Sequence, residues 1–176
     1  MSSSAALRVE TAEYAPYYGT YIGPIADQDI TALLVSQAQA LDALRSFDES
    51  RALQRYAPDK WSVKEVVGHI TDAERVFAYR MLRIARGDAT PLAGFDQQPY
   101  VEAAHFDSMP ISMLVDSFRA TRASTLALMA EVSDDAWPRI GVASGFPVSA
   151  RALAYIIAGH ATHHVKILRE KYKLSI

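Results

Sequence analysis

The stretch from Ser149 to Tyr172 constrains the fold more than any other. Leu153, Ile156, Ile157, Ile167 and Leu168 recur at helical spacing and define one apolar stripe, and two histidines fall inside it. At about 100° per residue, His160 and His164 lie about 20° to either side of the stripe's centre, whereas His163 sits about 80° away. The first two therefore point inward together, one turn apart, with Cβ atoms roughly 6 Å from each other. His163 belongs at the solvent side or a groove rim, with replacement of a neighbouring ligand as its sharper alternative. Two neutral imidazoles buried side by side each require a hydrogen-bond partner, and two charged ones repel. A shared metal ion removes both difficulties, as in the paired histidines of helical zinc motifs.

Three earlier segments carry the same period. Ile30, Leu34, Gln37, Leu41 and Leu44 follow one face of a helix over 27–47. A second helix, 62–86, opens on a capping box formed by Ser62 and Glu65, with Trp61 placed as a hydrophobic staple. Its stripe is Val66, Ile70, Ala73, Phe77 and Ile84, and Gly87 supplies the stop. A third helix covers 110–132, and Ser149 caps the fourth, 149–172. No convincing strand series appears, so the chain reads as all-α: a single-domain four-helix bundle over residues 1–176. The 22 residues from 88 to 109 are too long for a tight antiparallel turn and suit a crossover between two parallel helices. Ahead of the first helix, Tyr14, Tyr17, Tyr18 and Tyr21 stand among Pro16, Gly19, Gly23 and Pro24. They form an aromatic arm expected to pack over the end of the domain, with a subunit contact or a site rim as the alternatives.

His69 lies at the edge of the second stripe, three residues after Val66. At the level of His160 and His164 it completes three nitrogen ligands, and three protein ligands leave a coordination position open, as reactive sites do. Asp72 and Glu65, three residues after and four before His69, are placed to orient its ring. Glu74 projects more than about 90° away and reads as solvated. Arg80 falls about 20° from His69 around the axis. It reads as a surface arginine with a packed stem, a buried guanidinium for an anionic substrate being the alternative. His105 reads as a loop residue, with a role over the metal as its alternative. Ser62 and Ser149 have no base at fixed spacing, so nucleophilic catalysis has no support.

Eighteen basic and twenty acidic residues leave a formal charge of −2, which gives no electrostatic case for nucleic acid or an anionic membrane. Cysteine is absent, which excludes disulfides and sulfur ligation. The polar N-terminus MSSSAALRVE and the lack of a long apolar run point to a cytoplasmic protein.

The segments KWSVKEVVGHITDAERVFAYRMLRIARGD (60–88) and ALAYIIAGHATHHVKILREKY (152–172) resemble the DinB-like, or YfiT-like, family of four-helix metalloproteins. The resemblance implies one histidine ligand on the second helix and two, four apart, on the last, here His69, His160 and His164. It also implies a homodimer, a nickel or zinc ion and, in some relatives, transferase or isomerase chemistry with low-molecular-weight thiols such as bacillithiol or mycothiol. The reading is then a metal-dependent enzyme on a small molecule, transferring a thiol or hydrolysing. A stress-related or metal-sequestering dimeric binding protein is the non-enzymatic alternative, its ligand set closed by His105 or a carboxylate. A purely structural bundle is the third possibility.

Overall fold

The computed structural model describes residues 8–176. Short 3-10 turns at Thr11–Glu13 and Pro16–Tyr18 lead into α1 (Gly19–Ile22), and another at Gly23–Ile25 precedes α2 (Ile30–Asp42). A single turn, α3 (Glu49–Ala52), lies before α4 (Val63–Ala85). The crossover contains α5 (Gln97–Ala104), and α6 (Ile111–Ala130) follows. Strands β1 (Ile140–Ala143) and β2 (Phe146–Ser149) form an antiparallel hairpin before α7 (Ala150–Glu170).

Local chemistry sets the helix starts. Asp29 accepts a bond from Ala32 N at 3.0 Å, so α2 begins three residues later than its period alone suggested. Ser62 Oγ accepts from Glu65 N (3.0 Å) while Glu65 Oε2 accepts from Ser62 N (2.8 Å), completing the capping box. Ser149 Oγ accepts from Ala152 N at 3.0 Å. At the far end of α4, Gly87 takes φ +81, and its amide and that of Asp88 donate to the carbonyls of Ile84 and Arg83. This pair of bonds ends the helix on a residue that needs no Cβ.

Side-chain pairs fix the helix directions. Arg75–Ser117 (2.7 Å) and Arg86–Glu131 (3.0 Å) ascend together, so α4 and α6 are parallel. Arg45–Asp116 (3.0 Å) and Asp42–Arg119 (3.2 Å) descend, so α2 opposes α6. The Tyr172 hydroxyl donates to Trp61 O, and the rings of Phe77 and His160 face each other, so α7 opposes α4. The result is an all-α, four-helix bundle running up-down-down-up, with the crossover placed where two parallel helices require it.

The crossover is more structured than its composition suggested. Besides α5, Leu92 pairs with the hairpin: its amide donates to Val142 O (2.9 Å) and its carbonyl accepts from Ser144 N (3.0 Å). The hairpin itself was not expected. Its turn places Ser144 and Gly145 at φ 54 and 82, the two left-handed positions that a tight hairpin turn favours.

Two apolar clusters fill the bundle, one around Leu34, Met81, Trp137 and Ile156, the other around Ile70, Phe118, Val165 and Leu168. A polar layer divides them. Arg122 donates to Glu74 at 2.7 and 2.8 Å, to Leu34 O at 2.7 Å and to Gln37 Oε1 at 3.0 Å. Gln37 Nε2 in turn donates to Ala158 O and Thr162 Oγ1, both at 2.8 Å. Glu74, expected in solvent, is thus buried. One face of α4 packs on α7 and another on α6, so a residue far from the His69 face is still inside.

Candidate metal centre

α4 and α7 bring His69, His160 and His164 into one cluster in which every ring presents Nε2. His69 Nε2 lies 3.0 Å from His160 Nε2, which lies 3.2 Å from His164 Nε2. The ligand-capable atoms all fall within 4.8 Å of one another. The three residues are 2, 5 and 8% exposed. Burial pushes the His69 imidazolium down to about 4. It holds His160 and His164 well below the usual histidine value too, helped by their like-charged neighbours. At neutral pH all three rings are uncharged and carry a lone pair.

Hydrogen bonding alone cannot satisfy such a trio. His160 Nε2 is either one donor facing two acceptors or one lone pair facing two donors. His164 Nδ1 is buried without a partner, so that ring makes its polar contacts through Nε2. Three lone pairs aimed at one divalent cation leave none misdirected. Nitrogens about 2.1 Å from a common ion at near-tetrahedral angles stand about 3.4 Å apart, close to the 3.0 and 3.2 Å found here. The residues fit a metal ion.

The surroundings are aromatic. Trp61 lies with ring centres 4.6 Å from His69 and 6.4 Å from His164, so the expected staple walls the site. Tyr21 stands edge-on to His160 (5.5 Å) and His163 (5.6 Å), and Phe77 is 6.0 Å from His160. The tyrosine arm therefore lies at the rim of the site rather than over the end of the domain. The close approach is built into α7: a Cβ on Gly159 would sit 2.3 Å from Tyr21 O.

The remaining candidates go elsewhere. His163 is exposed at the rim, against Tyr21 and His164. His105 is exposed at the end of α5 with φ 52, a loop position outside the metal-capable group. Neither carboxylate expected to orient His69 does so. Glu65 is held by its own cap and by Arg55 (2.6 Å), and Asp72 pairs with Arg75 (3.0 Å). Arg80 is no surface residue: it is 3% exposed, and its Nη2 donates to Ala93 O (2.6 Å) and Ser144 Oγ (3.2 Å). Trp61 is a site neighbour that the sequence reading placed only as a staple, although it heads the capping box eight residues before His69, and Tyr21 takes the site-rim position given as an alternative for the arm.

Among the described residues no helix is long and apolar enough to cross a membrane. No curated protein matches the sequence significantly. The fold is shared with YfiT from Bacillus subtilis, described as a probable metal-dependent hydrolase with an unusual four-helix bundle topology. That match has a TM-score of 0.70 at 15% identity over 95% of this chain and 96% of that one. It is shared too with a mycothiol-dependent maleylpyruvate isomerase (TM-score 0.64, 16% identity, 80% of this chain), of which the match spans 60%. The model of the DinB superfamily matches residues 32–168, which include all three histidines of the cluster. The chain belongs to the DinB superfamily.

Proposed function

We propose that this protein is a metal-dependent enzyme acting on a small molecule, with His69, His160 and His164 as the protein ligands. The observation that carries this reading is the convergence of three neutral, buried Nε2 atoms at 3.0 and 3.2 Å. Among the described residues the metal-capable group consists of these three, with no carboxylate or fourth histidine in it. That favours an open coordination position, and hence chemistry, over sequestration in a closed set. When bound, a divalent cation supplies a Lewis acid that lowers the pKa of an incoming thiol or water. The chain's own part is to keep three imidazoles neutral and to crowd the ion with Trp61, Tyr21 and Phe77, which limits bulk water. An all-nitrogen set suits nickel or zinc.

The two structural relatives, one described as a hydrolase and one as using mycothiol, support two forms of this reading: transfer of a low-molecular-weight thiol to an electrophile, or hydrolysis. A cytoplasmic homodimer belongs to the same reading. The test incubates nickel- or zinc-loaded protein with bacillithiol, mycothiol or glutathione and a generic electrophile, and separately with activated esters. Turnover above that of His160→Ala in either series supports the enzyme and selects its form. Rates equal to those of the variant in both would overturn it.

A further inference from the structure

Among the described residues two arginines are buried, and only one has an acid. Arg122 is closed by Glu74. Arg80 has no carboxylate partner. Its Nη2 bonds are to a neutral carbonyl and a neutral hydroxyl, and the Tyr18 phenol is a further hydrogen-bond partner. The guanidinium carbon stands 5.9 and 5.8 Å from the ring centres of Phe77 and Phe95, with the Tyr18 phenol beside it. Ring faces and neutral acceptors offset only part of what a cation loses on leaving water. An anion would offset the remainder.

Its place on α4 says whose anion. Eleven residues bring Arg80 back to within about 20° of His69 around the helix axis, and helical side chains lean toward the N-terminus, here toward the trio. Phe77 bridges the two: its ring centre is 6.0 Å from that of His160 and 5.9 Å from the guanidinium carbon. The guanidinium is therefore no more than about 12 Å from the His160 ring. Ala93 and Ser144 hold Nη2 in place, so the group is fixed before any ligand arrives, which limits the ordering cost of binding.

We propose that Arg80 anchors a carboxylate on the small molecule served by the histidine trio, with the reacting group and the carboxylate at opposite ends of Phe77. The inference rests on the metal reading of the trio. It defines the ligand class as a carboxylate joined to the reacting atom by an apolar or unsaturated spacer.

The test compares acids with alcohols of equal length. Octanoate and 1-octanol are titrated into metal-free protein and followed by thermal shift. 8-Mercaptooctanoate and 8-mercapto-1-octanol are titrated into cobalt-loaded protein and followed by the thiol-to-cobalt charge-transfer band. The wild type is expected to bind each acid about tenfold or more tighter than its alcohol. Arg80→Gln should lose that preference while keeping cobalt content and alcohol affinity, and Arg80→Lys should retain part of it. No preference in the wild type, a comparison that needs no variant, overturns the anchor, as does an undiminished preference in Arg80→Gln. If cobalt does not bind but protection by octanoate still depends on Arg80, the metal reading fails and the anchor stands. If cobalt binds and neither acid is preferred, the anchor fails alone.

Discussion

The Tyr21 carbonyl oxygen approaches α7 so closely that a Cβ on Gly159 would sit 2.3 Å from it. Two backbones meet there, next to His160, and neither has a flexible end that can move aside. Gly159→Ala is predicted to displace the arm and to lower stability by about 1–3 kcal/mol. Urea denaturation and limited proteolysis near Tyr21 check this. Gly23→Ala, in the same arm with nothing within 4 Å of its Cβ, should show no steric penalty.

Glu74 and Arg122 form the ion pair at the centre of the polar layer, 2.7 Å apart and both buried. Removing the carboxylate strands a cation, so Glu74→Ala should cost about 3–5 kcal/mol. Replacing both residues with apolar ones of similar size should recover much of that loss, because no unpaired charge remains. Equilibrium unfolding of the single and double variants measures the difference. A double variant as unstable as Glu74→Ala would show that the pair itself, rather than the stranded charge, sets the cost.

The bundle was legible where one residue type has one meaning. Ser62 with Glu65, Ser149 and Gly87 mark helix ends through backbone bonds that depend on local sequence alone, and those ends stand within a residue or two of where they were read. The inward phase of His160 and His164 followed from their own stripe for the same reason. Glu74 and Arg80 were misread because a stripe shows the direction of one neighbour, whereas α4 packs on both α6 and α7 and is also overlain by the crossover. The hairpin escaped because four-residue strands are too short to show a period of two, and only Ser144 and Gly145 hint at its turn. Tyr21 and Trp61 reach the site through tertiary contacts that no spacing encodes.

Acid should weaken the metal-free protein. His69 titrates at about 4 when folded, against 6.5 for an ordinary histidine. Between those values the unfolded chain binds more protons, so its contribution is complete above pH 6.5 and is lost as pH falls toward 4. For His69 alone this amounts to about 3 kcal/mol. His160 and His164 are shifted in the same direction and add to the loss. Urea midpoints of metal-free protein from pH 7.5 to pH 4.5 check the slope, and His69→Gln should flatten it.

The central claim is that three imidazoles hold one ion, and elemental analysis of protein purified without an affinity tag measures it most directly. After loading with nickel or zinc, the wild type, His163→Ala and His105→Ala are predicted to carry about one ion per chain, and His160→Ala close to none. A wild-type ratio near zero under the same loading, or loss of metal in His163→Ala with retention in His160→Ala, would contradict the account.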